Sequence, residues 1–151
     1  MKINELNQRI EIEVNVKLKT AFTQFQELLI ELRNRELTDK IVIFINLTID
    51  EINAATGEKL YSVIEIKQSE ILESIEKELN IVPKNYYRKK WLALGMAVFG
   101  IPIGVVFGAI IGNMAFLGVG LPLGLVVGMA FGSKMDKKAM QEGRQLDIEF
   151  S

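Results

Sequence analysis

Apolar and polar residues alternate from Arg9 to Lys19, with Ile10, Ile12, Val14, Val16 and Leu18 on one side and Glu11, Glu13, Asn15, Lys17 and Lys19 on the other. That period predicts a half-buried strand. The spacing then lengthens. Ala21, Phe22, Phe25, Leu28, Leu29 and Leu32 recur at helical intervals while Gln24, Glu27, Glu31 and Arg35 face away, so an amphipathic helix is expected, with Thr20 as its N-cap. Ile41 to Ile49 is rich in β-branched residues and carries Ile43, Ile45, Leu47 and Ile49 on one face, which reads as a second strand. Leu60 to Lys67 reads as a third, with Ala54-Ala55-Thr56-Gly57-Glu58 supplying the turn between them. A second amphipathic helix follows from Gln68 to Asn80, on the stripe Ile71, Leu72, Ile75 and Leu79.

The resulting order, βαββα, is the ferredoxin-like split unit without its last strand. At the far end Leu146, Ile148 and Phe150 alternate with Asp147 and Glu149. Segment 145–150 then has two readings: a strand that returns to the sheet, making the residues before it an insertion, or a frayed tail. The expected fold class is an α+β domain over residues 1–87, an apolar helical hairpin over 88–135 and a C-terminal segment over 136–151.

The hairpin is expected because no residue from Trp91 to Gly132 is charged. One crossing needs about 20 apolar residues, so this stretch suits two and is too long for one. Arg88, Lys89 and Lys90 precede it, Lys134, Lys137 and Lys138 follow it, and its centre near Gly112-Asn113 carries no charge. The positive-inside rule places both ends in the cytosol and the tip outside. Tyr86, Tyr87 and Trp91 suit an aromatic anchor at the entry interface.

A duplication with a period of 20 residues lies within the segment: Gly100-Ile101-Pro102-Ile103-Gly104 returns as Gly120-Leu121-Pro122-Leu123-Gly124, and Gly108 and Gly112 return as Gly128 and Gly132. Glycines four apart form a slowly drifting stripe on an α-helix, where a second backbone can approach closely. Pro122 fits the first turn after the tip, where proline is tolerated. Pro102 lies well inside its span and predicts a kink, either a hinge or fixed geometry.

With these residues the hairpin resembles the glycine-zipper two-transmembrane proteins of bacteria, a grouping that includes envelope lipoproteins and membrane-inserting toxin or effector segments. The resemblance covers Trp91 to Gly132 and implies homo-oligomeric helix packing. The chain departs from the lipoprotein members: it holds no cysteine to acylate, and its opening Met1-Lys2-Ile3-Asn4-Glu5-Leu6 is not expected to act as a signal peptide.

The totals narrow the chemistry. The charge is nearly balanced, with 18 Lys+Arg against 19 Asp+Glu, which argues against nucleic acid as a partner. There is no cysteine and no histidine, so thiolate or imidazole metal sites and Cys or Ser-His-Asp nucleophiles are excluded. Asp50, Glu51, Glu58 and Glu65 match no metal loop or carboxylate dyad. No enzyme, metal or cofactor is expected, and residues 1–90 are expected to stay in the cytosol, beside the cytoplasmic membrane.

Three functions fit. Two helices locked only to each other need one glycine face each, so four glycines in both point to further copies, and hence to a homo-oligomeric pore or membrane-disrupting effector. The alternatives are a non-conducting scaffold or anchor whose α+β domain recruits a cytosolic partner, and a delivered toxin or its immunity partner. The spans hold scarcely a polar side chain other than Asn113, which weighs against a selective transporter.

Overall fold

The computed structural model describes residues 2–7, 15–57, 59–113, 115 and 117–150. The chain forms two compact units, one of Met1–Val82 together with Leu146–Ser151, the other of Pro83–Gln145.

The first unit is helical. It contains α1 (Val16–Arg33), α2 (Asp39–Ala54) and α3 (Lys59–Leu79), and no strand occurs among the described residues. The expected α+β domain with βαββα order is therefore corrected. Run 41–49 is the instructive error, because nearly every residue in it is apolar and both periods find matches. Alternation would bury Ile43 and Leu47, yet these are 45% and 58% exposed, while Ile41, Val42, Ile45, Ile49 and Ile52 are buried at helical spacing. Likewise the third expected strand and the second expected helix are one 21-residue helix. Leu60, Ile64, Ile71 and Ile75 line its buried face, and Ile66 points outward.

Ile10, Ile12 and Val14 of the first expected strand lie outside the described residues, but Val16 to Lys19 already belong to α1. Asn15, not Thr20, caps that helix, accepting from the N–H groups of Lys17 at 3.0 Å and Leu18 at 3.3 Å. Helix α3 ends where Asn80 turns left-handed at φ 54° and its N–H closes on the Glu76 carbonyl at 3.0 Å, an αL cap, with Pro83 following.

Helices α2 and α3 run antiparallel, as their ion pairs show: Lys40 meets Glu78 at 2.5 Å and Lys67 meets Glu51 at 2.7 Å. Lys67 also meets Glu70 at 2.9 Å and is only 20% exposed. Its hydrogen bonds to the Glu51 and then the Glu70 carboxylate hold its pKa above the ordinary lysine value. A lysine raised in this way stabilises the fold fully below its unfolded pKa and loses that contribution as pH climbs through the folded value. The thermal midpoint of the bundle should fall above about pH 10.5, and the Lys67→Met variant should show a smaller alkaline fall than the parent.

Segment 146–150 returns to this unit, but as an extended peptide in a helical core and not as a strand. Leu146 donates its N–H to the Val82 carbonyl at 2.8 Å, and Asp147 donates to the Glu31 carboxylate at 3.2 Å. Leu146 and Ile148 are buried while Asp147 and Glu149 are exposed, so the alternation sorts inward and outward without a sheet. The chain between Val82 and Leu146 is consequently inserted into the helical unit.

The second unit is a helical hairpin. Its first arm is α4 (Tyr86–Gly95), a π-helical turn (Met96–Gly100) and α5 (Ile101–Ile111); its second is α6 (Leu117–Gln141).

Candidate functional site: a hairpin closed by glycine

Neither arm has an ordinary hydrophobic seam. The residues between them are Gly95, Gly100, Gly104 and Gly108 on the first arm and Gly120, Gly124, Gly128 and Gly132 on the second, all buried. A Cβ on Gly124 would stand 2.5 Å from both the Gly100 nitrogen and the Gly95 oxygen, and one on Gly132 would stand 2.5 Å from the Arg88 Cα. Backbone therefore packs on backbone.

The contacts repeat in a regular way. A side chain added at Gly95, Gly100, Gly120, Gly124, Gly128 or Gly132 would meet the carbonyl oxygen of Gly124, Gly120, Gly100, Gly95, Trp91 or Tyr87, respectively. The α-hydrogen in that place points at the same oxygen. The hairpin is thus laced by Cα–H···O contacts, two pairs of them reciprocal, of the kind that recurs between closely packed helices.

Gly95 was not in the four-residue series, because it stands five residues before Gly100. In an α-helix that step leaves the stripe, but a π turn takes up one residue more than an α turn. The turn Met96–Gly100, in which the Ile101 N–H reaches the Met96 carbonyl, brings Gly95 back to the same face. Pro102 stands two residues beyond it. It has no N–H to give and its ring crowds the carbonyl four residues back, so a widened turn beside it relieves both demands. Pro122 is the sixth residue of α6, inside the helix and not in its first turn. Gly112 is exposed, and at φ 70° it ends α5 instead of packing. Asn113 spends its side chain on the tip, where its Oδ1 accepts from the Ala115 N–H at 2.9 Å.

The base is built from the basic and aromatic positions. Arg88, Lys89, Lys90, Lys134, Lys137 and Lys138 are all exposed there. Tyr86 and Tyr87 meet edge to face at 5.3 Å, and Lys90 lies 5.2 Å over the Tyr86 ring. Trp91 stacks on Phe131 across the two arms, with centroids 5.8 Å apart.

Asp136 was not singled out by the sequence pattern. Helix α4 begins after Asn85, which adopts φ 58° and gives no side-chain cap. The cap comes from the opposite arm: the buried Asp136 carboxylate accepts from the Tyr87 N–H at 3.0 Å and the Arg88 N–H at 2.9 Å. An anion at a helix N-terminus also meets the positive end of the dipole. A lone acid among lysines carries no sequence signature of this role, since its partners are backbone groups 48 and 49 residues away. Asp136→Ala should lower the stability of the hairpin in detergent by about 2–4 kcal/mol, because two charge-assisted bonds are lost and two N–H groups at the start of α4 lose their acceptor. Asp136→Asn, which keeps one acceptor, should lose about half as much, as read from denaturant titration of Trp91 fluorescence.

Both arms are long and apolar enough to cross a membrane, over Tyr86–Ile111 and Gly118–Gln141, and 22% of an apolar 18-residue stretch in each is buried within the protein. Comparison with protein-family models, curated proteins and solved structures finds no match to this chain.

Proposed function

We propose that the protein is a bilayer anchor for a small helical bundle. In this reading the hairpin crosses the cytoplasmic membrane twice without conducting, both of its ends and both termini are cytosolic, and the bundle recruits a protein partner there. One observation carries the reading: side-chain size is distributed inside out. Glycine fills the contact between the arms, while Val98, Val105, Val106, Phe107, Ile110, Leu123 and Val126 face outward. Water would penalise that arrangement, and hydrocarbon solvates it. From Trp91 to Ile111 the first arm rises about 30 Å at 1.5 Å per residue, the thickness of a bilayer core. The six basic residues at the base favour a cytosolic base.

The glycines of both arms are occupied with one another inside a single chain, which favours one copy over an assembly of hairpins. Backbone packed on backbone also leaves no lumen within the hairpin.

Reconstitution into dye-loaded liposomes tests the reading. The protein should stay with the vesicles at alkaline carbonate pH, release no dye, and elute in mild detergent at the mass of one chain. Dye release, or extraction by carbonate, would overturn it. Because the chain has no cysteine, Lys84→Cys and Gln141→Cys should each react with an impermeant maleimide from the cytosolic side alone.

A further inference from the structure

Among the described residues, Cα atoms of helices α1 and α2 each come within 8 Å of α3, whereas none of α1 comes that close to α2. The seam between them is a groove, and residues 2–7 lie in it as an extended strap. The strap is tied down through its backbone and by Leu6, which is buried in the core of the bundle. The Asn46 side chain accepts from the Asn4 N–H at 2.7 Å and donates to the Lys2 carbonyl at 3.0 Å; Asn53 accepts from the Asn7 N–H at 3.0 Å. From the α1 side, Arg33 donates to the Asn4 carbonyl at 2.6 Å.

The spacing of this ladder is matched to an extended chain. Asn46 and Asn53 stand seven residues apart on α2, a rise of about 10.5 Å. Asn4 and Asn7 stand three residues apart, about 9 Å at the rise of a polyproline-II chain, whose three-residue period turns both N–H groups to α2 and both Ile3 and Leu6 inward. Only Ile3 and Leu6 reach inward. They also leave space: a cleft of about 440 Å³ opens beside Leu6 against Leu29 and Ile30, and another of about 630 Å³ beside Ile3 against Leu37 and Val42.

We propose that the α1–α2 groove is a receptor for an extended peptide of a partner protein, with two apolar side chains three residues apart, and that residues 2–7 are its resident, displaceable occupant. Backbone bonds from Asn46, Asn53 and Arg33 are available to any extended chain, and the open clefts favour side chains larger than Ile3 and Leu6. This names the partner that the anchor reading requires and rests on that reading for its cellular role.

The test uses the full chain in detergent with residues 2–7 deleted, and a fluorescent peptide with the sequence of residues 1–7 as probe. The peptide should bind the deletion variant and polarise. It should bind the intact protein at least about tenfold more weakly, since the tethered strap competes at high effective concentration. Asn46→Ala and Asn53→Ala in the deletion background should each weaken binding about five- to tenfold. A peptide with phenylalanine in place of Leu6 should bind at least as tightly, and one with alanine there should not bind. Absence of binding to a deletion variant that keeps its helical circular dichroism would overturn the proposal. Should the deletion unfold the bundle, amide exchange in the intact chain decides: Asn4 and Asn7 must exchange far faster than Leu28 and Ile45, and equal protection would overturn it. Flotation of the same samples with liposomes tests the anchor reading separately, because a variant can float without binding peptide or bind peptide without floating.

Discussion

Gly124→Ala should unlatch the hairpin. The added methyl would sit 2.5 Å from the Gly100 nitrogen and the Gly95 oxygen and 2.7 Å from the Gly100 Cα, all of them backbone atoms that cannot rotate away. The arms must separate, and overpacking of this kind costs about 1–3 kcal/mol for one methyl. Separation also removes Cα–H···O contacts on either side, so Gly124→Leu should leave the arms unpaired. Trp91 is the single tryptophan and stacks on Phe131 of the other arm, which makes its emission a direct report on closure. The effect should be graded by the space available. Gly118 has nothing within 4 Å of an added Cβ, so Gly118→Ala should leave emission and denaturation midpoint unchanged. Gly100, where the nearest atoms lie at 3.1 Å, should be intermediate. If Gly124→Ala behaves like Gly118→Ala, the glycines do not close the hairpin.

The second large effect is expected five residues from the C-terminus. Leu146 has no exposed surface and belongs to the core of the helical bundle, although a polar connection and the whole hairpin separate it in sequence from its neighbours there. Leu146→Ala should destabilise the bundle by about 2–5 kcal/mol. Against a total of about 5–15 kcal/mol for a domain, that is a drop of roughly 10 °C or more in thermal midpoint. A frayed tail would give a change within about 0.5 kcal/mol. Urea titration of the bundle's helical signal distinguishes the two, and a null result would mean that the C-terminal segment is not part of the core.

Much of the burial pattern was legible without coordinates. Phe22, Phe25, Leu28, Leu29 and Leu32 were placed on one helical face by their spacing and are buried on it. Ile71 and Ile75 were too. At 41–49 and 60–67 the spacing misleads, and for a definite reason. Where nearly every position is apolar, periodicity cannot choose between a two-residue and a 3.6-residue repeat. What decides is which face finds a partner, and here α3 covers the Ile41, Ile45, Ile49 and Ile52 stripe. Thr38, whose side chain faces the Ile41 N–H as N-cap, and Ile52 beyond the alternating run were the local signs of a helix.

At the hairpin, local and distant information divide cleanly. The uncharged stretch, its basic flanks and the glycine series are properties of composition and spacing, so the sequence alone determined that two arms of membrane length exist and where small residues interrupt them. It could not determine what those residues face. Glycine has no side chain to specify a partner, and a stripe of it fits an arm of the same chain as well as an arm of another. The antiparallel register, the π turn that adds Gly95 to the stripe and the Asp136 cap over Tyr87 and Arg88 depend on groups far apart in sequence. So does the return of Leu146 to the bundle. Only tertiary structure brings such groups within contact distance, because packing and backbone hydrogen bonds act over a few ångströms in space and take no account of separation along the chain.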